Sequence, residues 1–450
     1  MNKDLYISKF KDKKITLMGL GVLGRGLQVT SFLADCGAHL TVTDLKNKTE
    51  LETSLRALKK YKNIRYVLGK HEMKDFEGVD LVIKAAGVPL DSPYIAHARA
   101  HDIPVAMDAS LFARIIRNTQ PSITIIGITG TRGKSMTTAL IYHILKTNEK
   151  KLGVHVHLGG NMRMKATLPL LSKVSSGDFV VLELDSWQCQ GFGDEKISPH
   201  IAVFTNLMPD HMNYYKNNMT TYFKDKLNIV KFQKQNDVLV TNKSICALLP
   251  QKIQSKTYTP NTAIVSKISM HIFGQHNIRN ASYAYKVAKE CGLSDTSIQQ
   301  ALESFTGLEG RLQYLNNASG IHIINDNNST TPEATIAGII AVCNKYPGQK
   351  INLIAGGSDK GLNVATLSKI IRKYITRSIL LPGTGTNIVK KYLCDNYIEV
   401  NNLKSALAYA RTHTKKGDLL LFSPGFASFG LFKNEYDRND QFIRIIKKWK

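Results

Sequence analysis

Short apolar runs alternate with segments of helical periodicity along almost the whole chain. Such runs, rich in Val, Ile and Leu and bounded by Gly, Pro, Asn or Asp, are typical of buried β-strands. The stretches between them, roughly 10–20 residues long, carry apolar positions at the spacing of an amphipathic helix. Strands that alternate with helices predict βαβ units and parallel sheets. The strand-like runs are KITLMGLG, HLTVTD, DLVIKAAG, SITIIGITG, DFVVLELD, HIAVFTN, DVLVTN, INLIAGG, SILLPG and DLLLFSPG.

The chain divides into three parts. At about 150 residues per domain, 450 residues correspond to roughly three domains. The pattern breaks near RNTQPS (117–122) and near TGLEGR (306–311), and a new strand-like run follows each break. We therefore predict three α/β domains, at residues 1–120, 121–308 and 309–450.

Composition narrows the class of protein. Hydrophobic residues make up 43% of the chain and charged residues 21%, ordinary values for a folded globular protein. No apolar run approaches the roughly 18 residues of a membrane span, and the opening MNKDLYISKF carries charge where a secretory signal is apolar. We therefore expect a cytoplasmic protein with no membrane partner.

The cysteines argue against a metal or disulfide scaffold. They lie far apart with no C-x-x-C pair, so neither a zinc ribbon nor a compact disulfide framework is indicated. Mostly buried thiols in a reducing cytosol explain them. The six cysteines are Cys36, Cys189, Cys246, Cys291, Cys343 and Cys394.

The net charge has more than one interpretation. The chain holds 60 Lys and Arg against 35 Asp and Glu, a formal net charge of +25. Such an excess is compatible with nucleic-acid binding or with a polyanionic small substrate. The positive residues are spread in pieces such as KKYKN and RTHTKK, without a dense tract or interleaved aromatic residues. A lysine-rich solvated surface explains the same pattern, and we expect no nucleic-acid partner.

The first strand runs directly into a glycine-rich turn, Gly19-Leu-Gly21-Val-Leu-Gly24, that opens a predicted helix. Asp44 follows about twenty residues later, at the end of the next strand. Glycines allow the tight turn, amides at the helix N-terminus bind a diphosphate, and the acid reaches a ribose. The loop therefore predicts a diphosphate-bearing nucleotide without specifying nicotinamide. A plain strand–helix turn is the alternative.

A second loop, Gly130-Thr-Arg-Gly133-Lys134-Ser135, lies between the strand SITIIGI and the helix MTTALIYHIL. Its backbone amides would surround a triphosphate, with the lysine on the outer phosphates and the serine hydroxyl on Mg²⁺. The full eight-residue pattern is not met, because Ile128 stands where a glycine would open it. Two nucleotide loops predict a protein that binds two phosphorylated molecules at once.

Two further strand ends in the middle domain carry polar side chains. Glu183 ends FVVLEL, and the next strand leads into Asn206-Leu-Met-Pro-Asp210-His211. Ligands bind at the carboxyl ends of strands in α/β sheets, so these groups could reach Mg²⁺ beside the second loop. Lys226, in TTYFKDKLNIVKF, is by composition one of many surface lysines.

Taken together, these residues resemble the Mur ligase family, the ATP-dependent amide ligases of peptidoglycan synthesis. The resemblance spans essentially the whole chain. It rests on GLGVLG, GTRGKS, GGN, LELDSWQ, TNLMPDH, YFKDKLNIV, GQHNIRNA, TGLEGR, NDNNSTT, GGSDKG and SPGFASFGLFKN, in the family's order. It implies a Rossmann-like UDP-binding first domain, a central P-loop ATPase-type domain, and a Rossmann-like C-terminal domain for the incoming amino acid.

The resemblance also implies the reaction and its cofactors. ATP phosphorylates a carboxylate, an amine attacks the acyl phosphate, and D-glutamate is added to UDP-N-acetylmuramoyl-L-alanine with Mg²⁺ as cofactor. We expect a monomer, because nothing obvious in the sequence demands a dimer. The implied catalytic residues are Lys134, Glu183, His211 and Lys226. The implied metal ligands are Ser135, Glu183, His211 and, if it is carbamylated, Lys226. The implied ATP-binding residues are Gly130, Thr131, Gly133, Lys134, Ser135, Asn277, Asn280, Arg311 and Asp326.

Two substrate sites are implied in the same way. The residues that would contact the UDP-linked substrate are Gly21, Val22, Leu23, Asp44, Lys46, Gly87, Asn161 and His211. Those that would contact the amino acid, where a lysine and hydroxyls suit a dicarboxylate, are Thr330, Lys360, Ser428 and Phe429.

Several positions depart from the family's pattern. Near the ATP site, Met136 removes a hydroxyl for which Thr137 could substitute, Asp185 adds an acid, and Arg163 replaces a glycine. In the third domain, a lysine is absent from Asp326-Asn-Asn328-Ser-Thr330-Thr, and Glu435 stands at an aromatic position, followed by Tyr436. The last two changes leave the identity and handedness of the amino acid open.

Other functions are weighed against this one. The same chemistry with L-glutamate or another amino acid is the nearest alternative. Folylpolyglutamate synthase shares the ATP chemistry but not a UDP-type domain ahead of the P-loop. An NAD-dependent oxidoreductase would leave Lys134, Glu183 and His211 unexplained. A cationic nucleic-acid binder predicts salt-sensitive binding without ATP turnover.

Overall fold

Three separate β-sheets confirm the predicted α/β architecture. The computed structural model describes residues 6–89, 91–162, 165–251, 253–315, 320–393 and 396–449. Arg163 and Cys394, named above, lie outside these residues. Within the described ranges, no helix combines the length and apolarity needed to cross a membrane.

The first sheet is entirely parallel, in the order β3-β2-β1-β4-β5. Its strands are β1 (Lys14–Met18), β2 (His39–Asp44), β3 (Ile64–Leu68), β4 (Leu81–Lys84) and β5 (Val105–Ala106). Its helices are α1 (Arg25–Asp35), α2 (Glu52–Leu58), α3 (Pro93–Ala100) and α4 (Asp108–Thr119), with a 3₁₀ turn at Met73–Phe76. The strand order reverses at β1, so a crevice forms beyond the carboxyl ends of β1 and β4.

The second sheet is also parallel, in the order β11-β10-β9-β6-β8-β7. Its strands are β6 (Thr124–Thr129), β7 (Val156–Gly160), β8 (Phe179–Glu183), β9 (Ile201–Phe204), β10 (Val238–Thr241) and β11 (Lys256–Tyr258). Because β6 lies between β8 and β9, the loops that follow these three strands are neighbours.

Helices and a 3₁₀ turn connect the strands of this sheet. They are α5 (Lys134–Thr147), α6 (Glu149–Leu152), α7 (Ser186–Asp194), α8 (Met219–Lys231), α9 (Lys243–Cys246) and α10 (Thr262–Val265), with a 3₁₀ turn at Leu168–Ser172. Two more helices, α11 (Gln275–Glu290) and α12 (Asp295–Ser304), lead toward the third sheet in the sequence.

The third sheet has the order β12-β13-β17-β14-β15-β16, with an antiparallel edge strand, β12. Its strands are β12 (Gln313–Leu315), β13 (His322–Asn325), β14 (Ile351–Gly356), β15 (Arg377–Leu381), β16 (Tyr397–Glu399) and β17 (Leu419–Phe422). Its helices are α13 (Pro332–Lys345), α14 (Ala365–Tyr374), α15 (Thr384–Val389), α16 (Leu403–His413) and α17 (Glu435–Ile446), with a 3₁₀ turn at Lys390–Tyr392.

The chain forms two compact units. One comprises residues 1–267 and 280–302, and the other comprises residues 268–279 and 303–450. The first unit contains two sheets that share one hydrophobic core, in which Phe112, Ile125 and Phe192 are fully buried. The division at 120 and 308 that we predicted from the sequence stays a prediction.

Gly160 offers a test of how tightly two strand ends pack. It has φ +87, and a Cβ there would overlap the backbone of Glu183. Gly292 has φ +88 but nothing within 4 Å of such a Cβ. We expect Gly292→Ala to cost about 1 kcal/mol through the left-handed backbone alone, and Gly160→Ala to cost about 3 kcal/mol or more because β8 must also shift. Urea-unfolding midpoints compare the two variants, and equal losses would contradict the packing argument.

Candidate active site

A cavity of about 650 Å³ lies beyond the carboxyl ends of β1, β2 and β4. All the residues predicted in the first domain to contact a UDP-linked substrate line it. They are Gly21, Val22, Leu23, Asp44, Lys46 and Gly87. Further lining comes from His71, Tyr94 and Gln188. At the rim, Val22 is 55% and Leu45 69% exposed, so part of the cavity wall is apolar and open to solvent.

Asp44 holds the first glycine loop in place. Its Oδ2 accepts a hydrogen bond from the Gly21 amide at 2.8 Å, and its Oδ1 accepts one from the Lys46 amide at 2.9 Å. The residue is only 7% exposed. A carboxylate with two amide donors is a strong, charge-assisted arrangement. Asp44 therefore shapes the cavity floor, a contribution that the ribose interpretation of the sequence did not include.

The second glycine loop follows β6 and is clamped by the segment after β9. The Thr131 amide donates to the Asn206 carbonyl at 2.9 Å, and the Arg132 amide donates to Asn206 Oδ1 at 2.8 Å. Thr205 Oγ1 donates to the Arg132 carbonyl at 2.6 Å. A Cβ on Gly130 would overlap Thr205 Oγ1, so only glycine fits there. The loop conformation is thus fixed by its neighbours.

Lys134 begins α5 and curls over this loop. Its Nζ donates to the carbonyls of Gly130 and Thr131 at 2.9 and 3.0 Å. Burial lowers the pKa of Lys134, and the nearby carboxylates of Glu183 and Asp185 oppose that effect. The ammonium group is therefore at the loop, in the field of acidic side chains from β8 and its following helix.

Asn161 and Glu183 meet where β7 and β8 end. The Asn161 amide donates to the Glu183 carbonyl at 2.7 Å, and Glu183 is 4% exposed. Among the described residues, no three His, Cys, Asp or Glu side chains form a metal cage. Mg²⁺ usually takes one or two protein oxygens and completes its shell with water and phosphate. The Glu183 carboxylate and the Ser135 hydroxyl suit such a site.

His211 lies in the loop after β9 with a left-handed backbone, φ 54. Its ring packs against Trp187, with centroids 4.5 Å apart. Burial lowers its pKa, partly offset by Asp210 and Asp185. Asp210 itself pairs with Arg132, Nη1 to Oδ2 3.0 Å. His211 is therefore held near the second loop with a tendency to be neutral.

Lys226 is not a surface lysine. It is 1% exposed, and its Nζ donates to the Gly130 carbonyl at 2.8 Å. Burial, together with the charge of Lys134, lowers its pKa to about 7. The amine thus lies beneath the second loop and is largely unprotonated above neutral pH.

Asn280 also reaches the second loop, because its Oδ1 would lie only 2.5 Å from a Cβ at position 133, where the residue is Gly133. Asn277 is one helical turn earlier in α11, belongs to the other unit, and donates from Nδ2 to the Phe273 carbonyl at 2.9 Å. Thr137, considered as a substitute for the hydroxyl lost at Met136, is fully buried, and its Oγ1 has no hydrogen-bond partner within the described part of the chain.

In the second unit, Asp326 follows β13 and is 5% exposed. Its carboxylate accepts from Ser329 Oγ at 2.6 Å, from Ser423 Oγ at 2.8 Å and from the Leu312 amide at 3.2 Å. Burial raises its pKa to about 6, and the hydrogen bonds and Arg311 oppose the rise. Arg311 and Asp326, both predicted at the ATP site, are thus brought together.

The predicted amino-acid residues also converge in this unit. Lys360 Nζ donates to Thr330 Oγ1 at 3.3 Å. Ser358, two residues before Lys360, donates from Oγ to the Phe429 carbonyl at 2.6 Å. Ser428 is 4% exposed, whereas Phe429 is 64% exposed. A cation, hydroxyls and an exposed ring are therefore grouped at the ends of β13, β14 and β17.

Known proteins show the same plan. Residues 13–107 match the family described as "Mur ligase MurD-like, N-terminal domain", and residues 128–261 match "Mur ligase middle domain". The UDP-N-acetylmuramoylalanine–D-glutamate ligase of Borreliella burgdorferi (strain ZS7) is 33% identical, over 98% of this chain and 99% of its own. That of Roseiflexus sp. (strain RS-1) is 31% identical, over 97% and 99%.

The chain belongs to the Mur ligase family.

A solved Mur ligase shares the fold despite low identity. The UDP-N-acetylmuramate–alanine ligase of Thermotoga maritima is 19% identical, with a TM-score of 0.63, over 97% of this chain and 100% of its own. The resemblance inferred from the motifs is confirmed. The roles of individual residues stay predictions.

Two departures from the Mur ligase pattern have local explanations. Asp185, expected to add an acid beside the metal, caps helix α7, with its Oδ1 accepting from the Gln188 amide at 2.8 Å. Asn328 bonds within its own region, since its amide donates to the Gly310 carbonyl at 2.9 Å and its Oδ1 accepts from Asn327 at 3.0 Å. Glu435 begins α17, and nothing in the structure explains its side chain.

Sequence reasoning missed the residues that hold the site's loops. Thr205 and Asn206 were visible in the TNLMPDH motif but not as clamps of the second loop. Ser329, three residues after Asp326, and Ser423, 97 residues away in the sequence, both bond the Asp326 carboxylate. The order and spacing of residues in the sequence do not show which segments contact one another after folding.

Asp44→Asn tests the cavity floor of this Mur ligase. Replacing one carboxylate oxygen by an NH₂ removes an amide acceptor, so the loop at Gly21 or Lys46 loosens. We expect the Kd for a UDP-linked ligand to rise about tenfold, roughly one charged hydrogen bond, while ATP binding is unchanged. Isothermal titration with UDP and with an ATP analogue measures both. Asp35→Asn, at the C-terminal end of helix α1 and outside the cavity lining, is the control. An unchanged Kd in Asp44→Asn would refute the assignment.

Proposed function

We propose that this chain is an ATP-dependent ligase that adds D-glutamate to UDP-N-acetylmuramoyl-L-alanine. The proposal rests above all on one observation: the β6 loop carries Lys134 beside Glu183 and over the buried Lys226. The curated relatives, matched over nearly their full length, carry the name of that ligase. The cavity of the first sheet has a glycine loop for a diphosphate.

The proposed reaction has two steps, in which the protein's residues position the substrates and stabilise charge. The γ-phosphoryl group of ATP passes to the alanyl carboxylate, giving ADP and an acyl phosphate. The amino group of glutamate attacks the carbonyl carbon, loses a proton, and phosphate leaves. Lys134 and the amides of residues 133–134, which follow the two amides bonded to Asn206, stabilise the negative charge on the transferring phosphoryl group. No enzyme nucleophile is needed, so positioning supplies most of the catalysis.

Mg²⁺ is part of the proposal. Bound between Ser135, Glu183 and His211, it would neutralise phosphate charge and orient the leaving oxygens. These ligands fit because Glu183 is a buried carboxylate at the end of β8, and Ser135 and His211 lie in the segments that follow its neighbours in the sheet, β6 and β9. A neutral His211 can donate a lone pair, which its lowered pKa favours.

Phosphate release decides the activity. ATP, Mg²⁺ and UDP-N-acetylmuramoyl-L-alanine are supplied with either D-glutamate or L-glutamate. We expect release with D-glutamate, and its loss by at least about 10³-fold in Lys134→Ala because charge stabilisation at the phosphoryl group is removed. Lys146→Ala, an exposed lysine in the same helix, is the control. Release with L-glutamate alone would retain the ligase chemistry and refute the D-glutamate assignment.

Lys226 is proposed to carry a carbamate. Its neutral amine attacks CO₂, forms an N–C bond and releases a proton, which turns the buried amine into an anionic carbamate suited to a second metal ion. Only the unprotonated amine reacts, and its pKa of about 7 means that this form grows as pH rises from 6 to 8. Carbamate formation at Lys226 is therefore favoured at pH 8 over pH 6.

Activity measured with and without bicarbonate at pH 6 and pH 8 tests the carbamate. We expect bicarbonate to activate the enzyme more at pH 8, and Lys226→Ala to lose at least about a hundredfold in kcat. Lys224→Ala changes an exposed lysine two residues away in α8 and should retain full activity. Full activity of Lys226→Ala would exclude the role. The monomeric state and the cytoplasmic location stay predictions.

A further inference from the structure

Arg438, in the first half of α17, is fully buried, with an exposed fraction of 0%. Burial lowers its pKa to about 10, so it is still charged near neutral pH. Taking a guanidinium group out of water costs free energy unless its donors are paired. A buried arginine is therefore kept for its hydrogen bonds.

Those hydrogen bonds join two separate segments. Arg438 Nε donates to Asn327 Oδ1 and Nη2 donates to the Asn327 carbonyl, both at 2.8 Å. Nη1 donates to the Phe426 carbonyl at 3.3 Å. All three acceptors are neutral oxygens. The planar fork of arginine fixes the directions of its donors, so it sets the spacing between the chain at Asn327 and the chain at Phe426.

Both segments carry residues of the predicted amino-acid site. Thr330 lies three residues after Asn327, and Ser428 and Phe429 lie two and three residues after Phe426. The segments also touch directly, because the Gly425 amide donates to the Ser329 carbonyl at 2.8 Å. Lys360 is linked to the same assembly by its bond to Thr330. Arg438 thus lies behind the group that would receive the amino acid.

We propose that Arg438 is a positioning residue that sets the affinity for the incoming amino acid. It touches no substrate itself and acts by holding the Thr330 and Ser428 segments at a fixed distance. This inference rests on the proposed function for its choice of ligand. An apolar side chain in its place would leave two carbonyls and an amide oxygen buried without a donor, and the segments would separate or rotate.

Steady-state kinetics of Arg438→Met and Arg438→Lys test the inference, using the amino acid that supports phosphate release by the wild-type enzyme. We expect Arg438→Met to raise the KM for the amino acid about tenfold or more, with the KM values for ATP and for the UDP-linked substrate within about twofold of wild type. Arg438→Lys keeps the positive charge but replaces the planar fork of donors by a single ammonium group. Its KM for the amino acid should therefore lie between those of the wild type and Arg438→Met. Arg444→Met, exposed in the same helix, should behave as wild type.

Near-ultraviolet circular dichroism establishes that each variant is folded. If Arg438→Met does not fold, the milder Arg438→Lys must still raise the amino-acid KM selectively. An unchanged amino-acid KM in a folded variant, or an equal rise in all three KM values, would overturn the inference. The proposed function has a separate test: it fails if the wild-type enzyme releases no phosphate with D-glutamate.

Discussion

The hydrogen bonds between the β6 loop and the Thr205–Asn206 segment are the constraint on which the rest of the central site depends. The loop has neither a helical nor a strand hydrogen-bond pattern to set its shape, so its shape must be imposed by neighbouring segments. Asn206 does this with a carbonyl and a side-chain oxygen, and Thr205 with a hydroxyl. The parallel order β9-β6-β8 makes this possible, because adjacent strands end at the same edge. The loop, Glu183 and His211 then come together without further long-range folding.

Positively and negatively charged side chains lie close together around this loop. Lys134 and Lys226 each donate to the Gly130 carbonyl; Lys226 is buried and Lys134 is partly buried. The charge of Lys134 lowers the pKa of Lys226, whereas Asp185 and Asp210 act to raise the pKa of both lysines. The helix cap at Asp185 therefore has two effects, on the backbone of α7 and on the electrostatics of the lysines. A polyanion entering such a site meets positive charge that the protein has only partly neutralised.

The sequence predicted the fold class and the loops well because both are local. Strand–helix alternation and glycine spacing lie within a few dozen residues, and they placed Gly21, Asp44 and Lys134 correctly at strand ends. Tertiary contacts were beyond its reach. Lys226 reads as a surface lysine by composition, and only packing under the β6 loop shows it to be buried. Arg438 gave no signal, because its acceptors at Asn327 and Phe426 are defined by the meeting of β13, β17 and α17. The resemblance to Mur ligases supplied candidate roles at such positions, not the contacts behind them.

The cavity of the first sheet has a floor and a rim with different freedom to change. Asp44 bonds two amides of the floor, so a substitution there would damage the natural ligand site along with any foreign ligand's. Val22 and Leu45 at the rim are exposed, and their apolar side chains form no hydrogen bonds that hold the cavity in shape. If an inhibitor drew its affinity from the rim, single conservative substitutions there could weaken its binding and make bacteria resistant. An inhibitor that depended on the shape of the floor held by Asp44 would leave few substitutions that both confer resistance and preserve cell-wall synthesis.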